Sequence, residues 1–132
     1  MGLLYVVAPK KNPLNPAAGE KYYVQSKIRG SKSHRQILAA AAKNTTINAK
    51  EIDMSIATWL DAVFSALADG FSVEVEGLGT FSTSVKSEGT ATAAEATPAK
   101  VQNISLAFRP KPEVRKQVSE FKLEKYVPGG TL

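Results

Sequence analysis

The alternation of apolar and polar residues predicts two strands near the start of the chain. Residues 3–8 and 22–28 are rich in aromatic and β-branched side chains, a composition typical of strands. The segment between them contains four residues that disfavour regular structure, namely Pro9, Pro13, Pro16 and Gly19. We therefore predict a strand, a long loop and a second strand.

Two helices are predicted next. Ser33 begins the run Ser-His-Arg-Gln, and Gln36 three residues later completes a capping-box pattern. The helix that follows is short and alanine-rich and is expected to end near Asn44. Asn48 and Glu51 form a second cap-like pair in front of a longer helix over residues 49–69, which Gly70 is well placed to end.

The longer helix has an unusually wide apolar face. Its large side chains recur at helical spacing, and further apolar residues widen the arc: Ile52, Ile56, Trp59, Leu60, Val63 and Leu67, flanked by Met54, Ala57, Phe64 and Ala68. One short helix cannot cover such an arc, whereas a second subunit can. The pattern therefore predicts a homodimer.

A sheet with a long connection is predicted after the helices. Val73 and Val75 alternate as a strand, a tight glycine turn follows at 77–79, and Phe81 lies on the next strand. Residues 86–100 have no large apolar side chain and are expected to form an exposed arm. Alternation then resumes in a returning strand, at Ile104, Leu106 and Phe108.

The chain is predicted to end in a helix and a tail. Pro110 and Pro112 break the returning strand, and a helix begins there because proline is tolerated in a first turn. Val114, Val118 and Phe121 form its apolar stripe. The resulting domains are an N-terminal β extension over 1–30, a main domain over 31–125 that carries the arm, and a flexible tail over 126–132.

Composition narrows the class of protein. Hydrophobic residues make up 43% and charged residues 22% of the 132 residues, as in ordinary soluble domains. Cysteine is absent, which fits a reducing, cytoplasmic setting and excludes disulfides and thiol chemistry. We see neither a signal-peptide pattern nor an apolar run long enough for a bilayer, so no membrane partner is expected.

Catalytic and metal-binding patterns are missing from the sequence. His34 is the single histidine, and with no cysteine beside it a metal site or an acid–base pair lacks partners. Gly77 and Gly79 do not have the spacing of a nucleotide-binding loop. We expect no enzymatic activity, no cofactor and no small-molecule substrate.

Basic charge is concentrated at the two ends of the chain. Residues 1–35 carry a net charge of +6, residues 36–108 carry −4, and residues 109–132 carry +3. Four bases, Lys27, Arg29, Lys32 and Arg35, come just before the first capped helix, whose N-terminus also favours anions. This distribution is typical of a protein with a polyanionic partner, although a solvated basic linker has the same pattern.

Two segments resemble the HU and integration host factor family. Residues 75–81, Val-Glu-Gly-Leu-Gly-Thr-Phe, are similar to the family's glycine-rich strand turn, and residues 107–111, Ala-Phe-Arg-Pro-Lys, to the segment after its arm. The run Lys-Lys-Asn-Pro-Leu-Asn-Pro at 10–16 resembles the subfamily with an N-terminal extension, called HU-HIG. The resemblance implies an α+β fold with two N-terminal helices, a three-stranded antiparallel sheet bearing a hairpin arm, and a C-terminal helix.

The resemblance also implies a function. Members of the family are intertwined homodimers that bind duplex DNA without sequence specificity and organise the bacterial nucleoid. The residues that would then contact phosphates are Lys27, Arg29, Lys32, Arg35, Lys86, Lys100, Arg109 and Lys111. The alternative is a dimeric protein-interaction or structural module of the same fold with little affinity for DNA.

The arm departs from the family pattern. Lys86 and Lys100 are its two bases, and Glu88 and Glu95 offset them, so its net charge is zero. It contains no arginine, and Pro98 is the one residue that resembles the family's intercalating proline. We expect this arm not to kink DNA.

Overall fold

The computed structural model describes residues 1–129, which form three helices and two three-stranded sheets. In chain order the elements are β1 (Leu3–Lys11), β2 (Glu20–Lys27), α1 (His34–Ala42), α2 (Ala49–Ala68), β3 (Val73–Val75), β4 (Gly79–Ser87), β5 (Val101–Pro110), α3 (Pro112–Ser119) and β6 (Leu123–Lys125). Short 3-10 turns lie at Pro16–Ala18, Ala93–Glu95 and Pro98–Lys100. The predicted α+β class is confirmed.

The contacts within the chain define two compact units. The N-terminal unit consists of Met1–His34 together with the described residues from Val118 onward, and the central unit is Arg35–Gln117. The domain boundaries predicted at residues 30 and 125 remain a prediction. Within the described part of the chain, no helix combines the length and the apolarity that crossing a bilayer requires.

The N-terminal unit is built on a sheet with the strand order β2-β1-β6. β1 and β2 form an antiparallel hairpin, and β6 runs parallel to β1 at Leu3–Tyr5. Leu4 is the buried hydrophobic side chain of this unit. The two strands were predicted, although β2 ends at Lys27, one residue earlier than expected, and leaves Ile28 exposed.

Pro9 lies inside β1, so the prediction that it belongs to an irregular loop was wrong. It pairs with Tyr22 in the hairpin, beyond the three residues of β1 that pair with β6. A strand edge that is free at this point accommodates a residue without an amide hydrogen. The irregular connection therefore begins only after Lys11.

The last helix is shorter than predicted, and a strand follows it. α3 ends at Ser119, so placing Phe121 on its apolar stripe was wrong. The chain turns there instead, and the Leu3 amide donates to the Lys122 carbonyl oxygen at 2.8 Å, which starts the pairing of β6 with β1. Gly2 permits this approach, because a Cβ atom there would lie 2.6 Å from the same oxygen.

The first residue of the predicted tail over 126–132 is hydrogen-bonded to β1. The amide of Tyr126 donates to the carbonyl oxygen of Tyr5 at 2.9 Å, which extends the contact of β6 with β1. Its ring lies under the ammonium group of Lys27, 4.5 Å from nitrogen to ring centroid. Tyr126 therefore belongs to the N-terminal unit, while residues 130–132 lie outside the described residues.

In the central unit, both predicted ends of α2 are confirmed. The side-chain oxygen of Asn48 accepts a hydrogen bond from the Glu51 amide at 2.9 Å, which caps the N-terminus. At the other end Gly70 takes a φ of 91°. The amides of Gly70 and Phe71 donate to the carbonyls of Leu67 and Ala66, as in a Schellman motif.

The second sheet has the antiparallel order β3-β4-β5, as predicted. Gly77, with a φ of 78°, makes the turn between β3 and β4. A Cβ atom on Gly79 would overlap the Arg109 carbonyl oxygen, so β5 approaches β4 closely only because this residue is glycine. Phe81 and Phe108 pair across the two strands with ring centroids 4.8 Å apart.

The apolar face of α2 is only partly covered within one chain. Val63 and Leu67 are buried, as is Leu38 of α1. Trp59 is 46% exposed, Phe64 56% and Met54 65%. A large part of the face predicted to meet a partner is therefore open to solvent in the single chain.

The predicted arm is exposed and begins as a continuation of the sheet. Lys86 still pairs with Asn103, and Ser87 pairs with Val101 after a shift in register. The Glu88 amide then donates to the Lys100 carbonyl oxygen at 3.0 Å and closes the base of the arm. Beyond this bond the arm contains two 3-10 turns and no strand.

Candidate nucleic-acid interface

Arg29 is held by groups of the N-terminal unit. Its Nη2 donates to the Gly2 carbonyl oxygen at 2.9 Å and lies 3.6 Å from the Glu124 carboxylate. The same carboxylate accepts from the Gly2 amide at 3.1 Å. Arg29 and Glu124 therefore fasten the start of the chain to β6, and the guanidinium group is already engaged before any phosphate binds.

Lys27 is occupied in a similar way, because its ammonium group lies over the Tyr126 ring. Lys32 is exposed in the connection that precedes α1, and Arg35 is exposed in the first turn of α1. A cation in a first helical turn is disfavoured by the helix dipole, and a bound anion relieves that repulsion. Lys27, Arg29 and Lys32 belong to the N-terminal unit and Arg35 to the central unit. Their convergence into one patch remains a prediction.

Arg109 lies on β5 opposite Thr80 of β4. It borders a shallow concavity of about 510 Å³ whose other polar lining consists of hydroxyl groups, those of Ser72, Thr80 and Ser82. These hydroxyls donate hydrogen bonds, and the nearest acid on this face of the sheet, Glu74 beside Thr80, is paired with Lys111 and does not line the concavity. A guanidinium beside several hydroxyl donors is a combination that suits a phosphate oxygen.

Lys111 is paired with an acid. Its Nζ lies 2.6 Å from the Glu74 carboxylate of β3. The hydrogen bond from Lys111 lowers the pKa of Glu74, with the lysine charge as a second cause. In return the hydrogen bond to Glu74 raises the pKa of Lys111, against a smaller opposing effect of desolvation. Its charge is thus largely balanced within the chain.

The two lysines of the arm lie at its base. Lys86 is near the end of β4, and Lys100 ends the second 3-10 turn, directly before β5. Both side chains are exposed. Pro98 starts the same turn as Lys100 instead of occupying the tip of a long hairpin.

Sequence reasoning missed two groups of potential ligands for an anion. The hydroxyls around Arg109 were not predicted as ligands because serine and threonine in a strand form no sequence motif that indicates anion binding. The available signal was that Thr80 and Ser82 are two residues apart and therefore lie on the same face of the strand. Lys10 and Lys21 were counted only within the basic N-terminal region. Their pairing across β1 and β2 becomes visible only when the register is known.

Comparison with solved structures shows a protein of the same fold. A solved structure described as "Putative bacterial DNA binding protein from Bacteroides vulgatus ATCC 8482" has the same fold, with a TM-score of 0.66 and 18% sequence identity. The similarity covers 93% of this chain and 47% of that chain, so this chain spans about half the length of its structural neighbour. No curated protein matches the sequence.

A family model is more specific. The model described as "HU domain fused to wHTH, Ig, or Glycine-rich motif", named HU-HIG, matches residues 1–125. The match includes the N-terminal strands as well as the segments that resembled HU in the sequence. The resemblance is thereby confirmed at the level of the family, and the chain belongs to the HU-HIG family of HU-like domains.

Proposed function

We propose that this protein binds duplex DNA without sequence specificity, as an architectural protein of the bacterial nucleoid in the cytoplasm. It acts as an intertwined homodimer of the HU type and has no enzymatic activity, cofactor or membrane partner. The observation that carries the proposal is the arrangement around Arg109. There an exposed guanidinium and the hydroxyls of Thr80 and Ser82 line one concavity without a carboxylate, in a chain of the HU-HIG family.

Contacts of this kind favour binding without sequence specificity. Hydroxyl and guanidinium donors on a sheet face reach phosphate oxygens, which are the same in every sequence. Lys32 and Arg35 add exposed cations at the start of α1. Because each neutralised phosphate releases a counterion, binding through these groups weakens steeply with salt.

The open face of α2 supports the dimer. Trp59, Leu60 and Phe64 are large apolar side chains of α2 that remain 46%, 40% and 56% exposed in the single chain, and exposed apolar surface of this kind is typical of an interface. A second copy of the same helix covers this face by symmetry. Two copies also double the number of phosphate contacts.

A second candidate function is a dimeric protein-interaction or structural module with little affinity for DNA. One observation favours it: two of the predicted phosphate ligands, Arg29 and Lys111, are engaged by carboxylates of the same chain. The arm adds no net charge. The two functions differ in whether the remaining cations suffice to bind a duplex.

A salt titration with a short random-sequence duplex distinguishes the two functions. We compare the parent with the double variant R35Q/R109Q, and use K43Q/K50Q, which removes the same charge from two other exposed sites, as the control. The proposal expects the slope of log affinity against log salt to fall by about 3.6 in R35Q/R109Q, because each lost phosphate contact removes about 0.9 and the homodimer loses four. A parent that binds no duplex at 50 mM salt would overturn the proposal and favour the interaction module.

Arg29 provides an internal comparison. Because its guanidinium bridges Gly2 and Glu124, R29Q should lower the melting temperature of the protein while leaving the salt slope unchanged. A reduced slope with unchanged stability would instead identify Arg29 as a phosphate ligand.

A further inference from the structure

The β1–β2 hairpin carries a basic face of its own. Lys10 of β1 and Lys21 of β2 are direct partners in the antiparallel register. Both side chains are exposed, and neither ammonium group forms an ion pair with any residue among 1–129. Like charges directly opposite each other destabilise a strand pair, so the free hairpin contains an unrelieved repulsion.

The acid of this region lies on the other face. Glu20 is the single carboxylate among residues 1–27, and it pairs with Lys11 at 3.9 Å. Because side chains alternate along a strand, the Lys11–Glu20 pair and the Lys10–Lys21 pair project to opposite faces of the hairpin. The repulsion between Lys10 and Lys21 is therefore not balanced from within the hairpin.

The face that bears Lys10 and Lys21 is also concave. The next partners along it are Ala8 with Tyr23 and Val6 with Gln25. Lys10, Lys21, Tyr23 and Gln25 line a concavity of about 510 Å³ together with Lys11, Val24 and residues of the connecting loop. The small side chain of Ala8 leaves space opposite the Tyr23 ring, which is half exposed.

The donors on this face suit one kind of ligand. Two ammonium groups, a phenol and a side-chain amide all donate hydrogen bonds, and together they match the several acceptor oxygens of a phosphate. A bound phosphate also removes the repulsion between Lys10 and Lys21. We propose that this face of the hairpin binds the phosphodiester backbone of nucleic acid, as a second contact surface in addition to the one in the central unit.

This inference rests on the proposed function and extends it to a part of the chain outside the predicted phosphate ligands. Nucleic acid is favoured over an anionic membrane because the concavity is lined mainly by polar and charged side chains, and Val24 is the one branched aliphatic residue of its lining. A polar concave face with a single aromatic ring is better matched to a backbone of repeated phosphates and sugars.

The test compares K10Q/K21Q with the control K43Q/K50Q in the full chain. With a 20-base-pair random duplex, we expect the salt slope to fall by about 3.6 in K10Q/K21Q, which loses two contacts in each protomer, and to remain near the parent value in the control. Nitrogen-15 NMR of the parent should show duplex-induced shifts at the amides of Gly19, Lys21 and Tyr23. The melting temperature of free K10Q/K21Q at low salt should be higher than that of the parent, because the like-charge pair is gone.

Three results would overturn the inference. The first is a K10Q/K21Q variant that binds duplex with the parent's slope, which leaves the proposed function intact. The second is an equal loss in K10Q/K21Q and K43Q/K50Q, which indicates a general effect of net charge. The third is binding through this face to vesicles containing phosphatidylglycerol but not to duplex. A parent that binds no duplex at all would overturn the proposed function as well.

Discussion

The ammonium nitrogen of Lys111 lies 2.6 Å from a carboxylate oxygen of Glu74, although the two residues flank opposite sides of β4. The pair joins the start of α3 to the first strand of the central sheet. It also decides how Lys111 can act, because a lysine that neutralises an acid of its own chain attracts a phosphate less strongly. Two predictions follow from this one contact.

Removing the acid should strengthen DNA binding. In E74Q the carboxylate that holds Lys111 is gone, so the ammonium group becomes available to a phosphate. We expect tighter binding of a random duplex and an increase of about 1.8 in the salt slope, one contact in each protomer, measured by fluorescence anisotropy. The control is D61N, which removes one acid from an exposed position of α2. If both variants gain equally, net charge alone explains the effect.

The same pair predicts a pH dependence of stability. The pKa of Glu74 is lowered from its usual 4.5 in the folded protein, so the stabilisation is present above pH 4.5 and is lost as the pH falls through the folded value. The effect is small because the Glu74 side chain is 69% exposed to solvent. The melting temperature of the parent should exceed that of E74Q at pH 7, and the difference should shrink below pH 4.5. A difference that is constant from pH 7 to pH 3 would contradict this account.

We expect an obligate homodimer, and the single tryptophan reports on it. Trp59 is half exposed in one chain and lies on the apolar face of α2, so a partner would bury it. Light scattering at micromolar concentration should give twice the chain mass, and tryptophan emission should be blue-shifted. F64E should prevent association and leave no stable folded monomer. A folded monomer of the parent with the emission of an exposed tryptophan would refute the dimer.

The arm should contribute little to DNA binding or bending. Its net charge is zero. Its small side chains bury too little surface to offset the conformational entropy lost when the arm is ordered or the free energy of unstacking a base step. The hydrogen bond between Glu88 and Lys100 suggests a clean deletion, in which residues 89–99 are replaced by Asn-Gly to form a two-residue hairpin. Affinity and DNA end-to-end energy transfer should both stay near the parent values. A large loss of either would show that the arm acts, through Pro98 or Lys100.

Local signals in the sequence predicted most of the elements. Asn48 and Gly70 mark the two ends of α2, since a cap needs only residues within one turn of the helix end. The alternation at Ile104, Leu106 and Phe108 predicted β5, and Pro112 marked the start of α3. β6 was missed because three residues are too few to show a period, and the strand exists only through its pairing with β1.

The candidate site was less predictable than the fold. The amino-acid sequence shows which residues are cationic, where the basic regions lie and, through short motifs, the family. The fold was needed to show that Arg29 and Lys111 are engaged by Glu124 and Glu74, that hydroxyls surround Arg109, and that Lys10 faces Lys21. The ionic partners of a side chain depend on strand register and chain reversal, which bring together residues that are far apart in sequence. Helix caps, turns and hydrophobic periodicity depend only on a few neighbouring residues, and for that reason they can be read from the sequence.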